Sequence, residues 1–312
     1  MALIEYQRII LADSVRNDAF ARALKKVIVK GKSVVADIGS GTGFLSFLAA
    51  GLGAKECVLY EQSELLELSR ILAKENGIRN CRFVRAHSTE VSDPPKADLV
   101  MSETLGNFAL EENILETMND AQRFLKPDGT LIPQGLTQYA APIVTETLRK
   151  EVTSWDRTGH GATFNAAKEL SLNNVYVRTV KTADLLPQEN AVQKWDAIDF
   201  RKKNKSVRSS VIEWKIDRAV TVYGFALWWE ALLVPGVTLS TGPASPRTHW
   251  EQIYLPVLEP IDLKPGDTLL LTIRSDSRYE VKINVTWEVT VRSKSGHKNT
   301  PQRFDMRRGY VE

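Results

Sequence analysis

Apolar positions follow two different rhythms along the chain, and the change falls near Pro133. From Asp13 to Val29 they recur at Val15, Phe20, Leu24, Val27 and Ile28, a helical spacing with Asp13 or Ser14 available as N-cap. Gly31-Lys32 ends that helix. Short apolar runs at Ser33–Ile38, Glu56–Glu61, Cys81–Arg85 and Ala97–Ser102 read as buried strands. Helical stretches separate them at Phe44–Ala50, Ser63–Asn76 and Glu111–Phe124, the second with Leu65, Leu66, Leu68 and Ile71 as expected core contacts. Pro127-Asp128-Gly129 is a turn before Thr130-Leu131-Ile132. Such alternation predicts a parallel, doubly wound α/β sheet of Rossmann type.

Beyond Pro133 the runs become β-branched or aromatic: Thr137–Val144, Val175–Val180, Val211–Ile216, Val220–Leu233, Glu251–Val257, Thr268–Ile273 and Glu280–Val291. Pro-Gly and Lys-Pro-Gly-Asp turn signals divide them, which predicts an all-β barrel or sandwich. The expected domains are 1–134, with an N-terminal helix region at 1–30, and 135–312. Residues Arg157–Gln188 interrupt the strands with Gly-His-Gly and a mixed helical stretch, a candidate arm.

Composition narrows the class. The 312 residues are 43% hydrophobic and 25% charged, ordinary for a soluble two-domain protein. A net charge of +3 gives no reason to expect a nucleic-acid or membrane partner. Cys57 and Cys81 each lie in a strand-like run, which fits a reducing compartment better than a disulfide framework. The first residues lack a secretory pattern, and no apolar run approaches the roughly 20 residues of a spanning helix. A cytoplasmic protein is expected. Arg201-Lys202-Lys203-Asn204-Lys205 reads as a solvated hairpin tip rather than a targeting or nucleic-acid signal.

Two stretches carry chemistry. Asp37-Ile38-Gly39-Ser40-Gly41-Thr42-Gly43 is a strand-to-helix turn with glycines at alternate positions, which lets a ligand approach the backbone. Glu61 closes the next strand, 22 positions after Gly39, where an acid reaches ribose hydroxyls. The GxGxG spacing favours S-adenosylmethionine over a dinucleotide, and the Gly-Lys-Ser/Thr ending of a phosphate-binding P-loop is absent. No metal is expected. The loop Ser102–Glu112 puts Glu103 at the carboxyl end of a strand and Glu112 at the start of a helix, where open α/β sheets place their chemistry. Two carboxylates there could grip a planar cation; the alternative is a solvated acidic loop.

Four segments in order resemble the protein arginine methyltransferase family. Val35–Gly43 resembles the first motif of class I S-adenosylmethionine-dependent methyltransferases, and Ser102–Glu112 the family's "double-E" loop. Ser245-Pro246-Arg247-Thr248-His249-Trp250 resembles its Thr-His-Trp loop, and Leu11-Ala12-Asp13-Ser14-Val15-Arg16 its Leu-x-Asp-x-x-Arg segment. The resemblance implies methyl transfer to a guanidinium held by Glu103 and Glu112, with His249, held by Asp13, beside them. It implies Arg16, Asp37, Gly39 and Gly41 at the methionine end of the cofactor, Glu61 at the ribose, and Ser88 and Thr89 by the adenine. Trp250 and Asn107 are expected at the substrate end. Residues 157–188 correspond to a dimerisation arm, with Phe164, Leu170, Leu172, Val175 and Val177 as apolar surface, which implies a homodimer.

The chain also departs from the family pattern. The aromatic Tyr-Phe-x-x-Tyr helix is not matched, Tyr6 being the one tyrosine before Asp13, so the resemblance implies a truncated or missing lid. Thr104 and Asn107 replace Trp and Tyr, Ile10 and Ile114 replace methionines, and Thr89 replaces an acid. These leave open a free arginine or other small guanidine, a lysine or hydroxyl acceptor, or a catalytically weak cofactor-binding scaffold.

Overall fold

A computed structural model describes residues 3–294 and 301–310; Met1 and Ala2, the start of the expected N-terminal region, lie outside the described residues. The first lobe runs α1 (Leu3–Leu11), α2 (Ser14–Val27), β1 (Val34–Ile38), α3 (Phe44–Gly51), β2 (Glu56–Tyr60), α4 (Leu65–Glu75), β3 (Cys81–Val84), β4 (Ala97–Ser102), α5 (Ile114–Ala121) and β5 (Leu125–Ile132). Its strands form one parallel sheet in the order β3-β2-β1-β4-β5. Chain order reverses between β1 and β4, and the crevice beyond their carboxyl ends is where such sheets bind ligands. β1 and β4 are covered on both faces, so Val35, Ala36, Leu99, Val100 and Met101 are all buried and show no alternation.

Local chemistry sets the boundaries. Asp13 caps α2 by accepting from the Arg16 amide at 2.9 Å, and Ala19, Phe20, Ala23 and Leu24 form the buried stripe of that helix. α4 buries Leu66, Ser69 and Ala73, which leaves Ile71, expected in the core, on the opposite face and 55% exposed. Its inward face is defined by helical phase, and a serine rather than an isoleucine falls on it.

The second lobe runs β6 (Gly135–Ile143), α6 (Thr147–Val152), α7 (Asn165–Leu172), β7 (Tyr176–Arg178), β8 (Gln193–Asp199), β9 (Val207–Lys215), β10 (Val220–Val234), β11 (Val237–Ser240), β12 (Gln252–Leu263), β13 (Thr268–Asp276), β14 (Asn284–Arg292) and β15 (Gln302–Asp305). Two antiparallel sheets result, β7-β12-β10-β6-β8 with β11 on β10, and β15-β14-β13-β9. They face each other: Trp214 stacks on Phe225 at 5.6 Å, and the Trp287 indole donates to Pro256 O at 3.0 Å.

The architecture is the expected Rossmann-like domain followed by an antiparallel β domain. Three strands are present beyond those expected: β8, β11 and β15. In β8 a bulge opposite Gln138 and Tyr139 sets the buried Trp195 and Ile198 three apart, so alternation is lost. The expected strand at Glu280 begins only at Asn284, after a turn. The arm also sits differently. The chain leaves the sheet after Ile143, and Tyr176–Arg178 rejoins it by pairing with β12, so the excursion starts before Arg157 and ends before Gln188.

Gly43 joins sheet to helix. It caps α3 at φ +84°, and a Cβ there would lie 2.3 Å from Ser69 Oγ and 2.9 Å from the Phe47 ring. Gly43→Ala is expected to cost about 2 kcal/mol or more, from left-handed strain plus overpacking. Urea unfolding followed by circular dichroism measures it; an unchanged midpoint would contradict the close approach.

Candidate active site

Gly39 and Gly41 both take positive φ, +70° and +54°, which turns the chain sharply off β1. The amides of Gly39 and Ser40 donate to Tyr60 O at 2.9 and 3.2 Å, so the glycine loop is tied to the end of β2. Glu61, the next residue, is 9% exposed and fixed by two backbone amides, Gly41 at 3.0 Å and Ser63 at 2.8 Å. Asp37 lies under the loop and accepts from Ser46 Oγ at 2.7 Å. Burial pushes its carboxyl up to about 7; the Ser46 bond and the Arg16 charge oppose this, and the Glu61 charge adds to it.

Glu103 follows β4 directly, and Glu112 precedes Asn113, whose positive φ of 57° starts α5. Both carboxylates line a cleft of about 380 Å³ together with Gly39, Gly41, Glu61 and Ser88. Glu103 Oε2 accepts Nε of Arg16 at 2.7 Å and also its Nη2. Burial, and then the charges of Glu103 and Glu111, push the Glu112 carboxyl up to about 7, against a hydrogen bond from the Tyr6 hydroxyl. Tyr6 in turn is pushed up to about 12, by burial first and then by the same acids. The cleft therefore resists negative charge at Glu112 until a cation arrives.

The β lobe holds this loop in place. The indole N–H of Trp250 donates to Leu105 O at 2.6 Å, that of Trp229 to Gly106 O at 3.0 Å, and the Glu251 amide to Asn107 Oδ1 at 2.8 Å. The two indoles meet edge to face at 5.0 Å. His249 is joined to α2: its amide and its Nδ1 both lie 2.8 Å from Asp13 Oδ2. Burial lowers the His249 imidazole below its ordinary value, although the Asp13 bond and the Glu103 charge pull the other way. Burial would raise Asp13, but the amides of Arg16 and His249 and the His249 ring bring it below the usual carboxylate range.

The crevice thus brings together Glu103, Glu112, Gly39, Gly41, Glu61, Asp37, Arg16 and Ser88. Trp250 is 2% exposed and lies behind the acidic loop rather than on the cleft wall, and the Asn107 side chain is likewise spent on the Glu251 amide. These two position the loop; the expected substrate contact is not what their geometry provides. Thr89 turns from the cleft to place its hydroxyl 2.7 Å from His87 Nδ1. The segment before Asp13 is the short helix α1, nine residues long, and it puts Tyr6, Gln7 and Ile10 on the cleft wall. On the arm, Phe164, Leu170 and Val177 are exposed while Leu172 is buried. The bond from Tyr6 to Glu112, the part played by Trp229, and the placing of His87 and Tyr279 on the cleft were not read from sequence. Each depends on contacts between residues far apart in the chain.

Fold and site together define a two-lobed, Rossmann-like methyltransferase architecture with an acidic loop at its switch point. Comparison with known proteins agrees. Residues 136–294 match the arginine methyltransferase oligomerization subdomain, and residues 29–195 a methyltransferase domain model. The chain belongs to the protein arginine methyltransferase family. It is 26% identical over 309 residues to the histone-arginine methyltransferase CARMER of Drosophila yakuba and 27% identical to that of Drosophila ananassae. These alignments cover 94% of the chain and 58% of each relative, so the chain spans little more than half their length. Among solved structures, the Trypanosoma brucei PRMT1 enzyme–prozyme heterotetrameric complex with AdoHcy matches at a TM-score of 0.84 and 23% identity, covering 96% of this chain and 98% of that one. Arabidopsis thaliana protein arginine methyltransferase 10 matches at 0.80 and 21%, covering 98% of both chains.

Trp250→Phe keeps the ring but removes the donor to Leu105 O. Leaving that buried carbonyl unpaired is expected to lower stability by about 1–3 kcal/mol, read from urea unfolding monitored by circular dichroism. An unchanged stability would mean the indole bond does not hold the loop.

Proposed function

We propose that this chain transfers a methyl group from S-adenosylmethionine to a terminal guanidinium nitrogen of arginine, most simply arginine within a protein. The observation that supports it best is the pairing of Glu103 and Glu112 on one cleft with the glycine loop. The residues fit the cofactor. Gly39 and Gly41 have the close-approach backbone, Glu61 stands at the ribose position, Arg16 can meet a carboxylate, and Ser88 Oγ is buried without a hydrogen-bond partner. When bound, the cofactor supplies an electrophilic methyl on a sulfonium.

The chain's own residues do the rest. A guanidinium offers its N–H donors in a rigid fork. Glu103 and Glu112 would take the nitrogens that do not react, draw positive charge towards themselves, and leave lone-pair density on the nitrogen facing the methyl. Two carboxylates also offset the repulsion between two cations in one cleft. Holding donor and acceptor in line supplies much of the rate enhancement. His249, kept in place by Asp13, feels the Glu103 charge and would help to orient that carboxylate. The unpaired Cys57 and Cys81 are consistent with a reducing cytoplasm, and among the described residues no helix is long and apolar enough to cross a membrane.

A homodimer also belongs to this reading. Trp155 and Phe164 meet at 6.2 Å on the arm and are both exposed. An apolar groove of about 460 Å³, lined by Phe44, Phe47, Leu48, Leu72 and Ile78, lies on the outside of α3 and α4. One protomer's arm would seat in its partner's groove. Light scattering at micromolar concentration should give the dimer mass, and the monomer mass for Trp155→Asp/Phe164→Asp; a monomeric unsubstituted protein would overturn this.

Glu103→Gln and Glu112→Gln should each lower methyl transfer to an Arg-Gly-rich protein by about a hundredfold or more, with cofactor affinity largely kept. Label recovered in lysine or in a hydroxyl ether, rather than in arginine, would refute the reading. Because the Glu112 acid is raised to about 7, it is neutral below that pH and charged above it. The free-enzyme profile of kcat/KM should therefore rise through pH 7, with Asp37, also raised to about 7, contributing to the same limb. Glu112→Gln should flatten its share of that limb.

A further inference from the structure

Sheet order sets out the cleft from one end to the other. The acidic loop leaves β4, the glycine loop leaves β1, Glu61 ends β2, and His87-Ser88 follow β3 at the far end. With the methyl-transfer end over β4 and β1 and the ribose at Glu61, a ring attached to that ribose extends towards His87. Facing His87 there is a residue from the other lobe. Tyr279, in the turn between β13 and β14, lies with its ring centroid 5.7 Å from that of His87 at an interplanar angle of 75°. Among the described residues lining the cleft, it is the one contributed by the β lobe.

Both residues are held at the backbone while their rings face the cleft. The Tyr279 amide donates to Glu116 Oε1 on α5 at 3.1 Å, and Ser206 Oγ donates to the same oxygen at 3.3 Å. Arg278, beside it, is clamped on Asp276. The turn therefore docks on the first lobe through fixed polar contacts, whereas the Tyr279 side chain belongs to a residue 56% exposed. On the other side, the His87 amide donates to Glu90 Oε2 at 3.0 Å, and Nδ1 takes the Thr89 hydroxyl at 2.7 Å and its amide at 3.4 Å. An Nδ1 that accepts from an amide leaves Nε2 to carry the proton of the neutral ring. Next to this pair, Ser88 Oγ is buried with no hydrogen-bond partner.

We infer that Tyr279 and His87 form an aromatic gate between the two lobes that clasps the purine ring of the bound adenosine ligand, with Ser88 Oγ meeting a ring nitrogen. The inference rests on the cofactor reading above. Two rings edge to face at 5.7 Å leave no slot for a third, so the exposed Tyr279 is the member that swings outward and then lays its face on the purine. Thr89 serves this arrangement indirectly by fixing His87, which accounts for its hydroxyl turning away from the cleft. Recognition of the purine is thereby given to a residue of the second lobe, about 190 positions further along the chain.

Calorimetric titration of the full chain with S-adenosylhomocysteine and with adenosine tests this. Tyr279→Ala should weaken both ligands by about tenfold, in line with the loss of one base–aromatic stack, and His87→Ala should weaken them as well. Tyr279→Phe keeps the ring and should stay within about twofold of the unsubstituted protein. Thermal unfolding without ligand should be unchanged for Tyr279→Ala, since its side chain is largely exposed. Tyr279→Ala binding both ligands at full affinity would overturn the gate, as would Tyr279→Phe losing as much as Tyr279→Ala. An unsubstituted protein that binds neither ligand would instead overturn the cofactor reading itself.

Discussion

Two indole N–H groups hold the acidic loop, and the site depends on them. Leaving β4, the chain loses its strand partners, so the carbonyls of Leu105 and Gly106 need donors from elsewhere. Trp250 and Trp229 supply them from β-lobe residues more than 120 positions away, and the Glu251 amide adds a third bond to Asn107 Oδ1. An indole is a rigid donor with few rotamers, so little ordering entropy opposes these bonds. Asp13 works in the same way from the other side. Its Oδ1 caps α2 through the Arg16 amide, and its Oδ2 takes both the amide and the ring nitrogen of His249. The second lobe is therefore part of the device that sets where Glu103 and Glu112 stand.

That placement has an electrostatic cost. Glu103, Glu111 and Glu112 crowd a half-buried loop with Asp37 beneath the glycine turn, and burial raises Glu111 as well as Glu112 and Asp37. Arg16 relieves the crowding at Glu103, and Asn107 does so at Glu111 by donating its amide at 2.6 Å. Glu112 is left with the Tyr6 hydroxyl, a neutral donor. A cation approaching Glu112 gains from the field of its neighbours, whereas an anion or a neutral amine meets a site already short of positive charge. This asymmetry favours a cation over neutral ligands without any appeal to the shape of the pocket.

What could be read in the sequence was chemistry that needs only local chain. The alternate glycines, the acid after β2 and the acid after β4 are each fixed by a strand and its turn, so their positions follow from neighbours within a few residues. Less legible were positions decided by packing between distant segments. Ile71 is apolar yet points outward, because the phase of α4 is set by Leu66, Ser69 and Ala73 against the sheet. β8 loses its alternation to a bulge, and α1 reads as a short segment with one tyrosine until the acidic loop beneath it shows what that tyrosine touches. Trp250 is expected at the substrate end yet lies behind the acidic loop, since sequence order says nothing about which face of a loop an indole meets.

The same distinction explains the loop's two unusual residues. Thr104 and Asn107 stand where larger aromatics were expected, and both are engaged with the protein itself. The Thr104 methyl lies 3.1 Å from where a Cβ on Gly39 would sit, so it packs against the glycine turn, and Asn107 Oδ1 receives the Glu251 amide. A larger ring at position 104 would have to pack against the same glycine turn, where the Thr104 methyl already makes a close approach. A side chain without an acceptor at position 107 would leave that amide to find another partner. The replacements thus change how the loop is anchored while leaving Glu103 and Glu112 on the cleft. The charge pair and the walls around it are separable, and a chain can keep the first while altering the second.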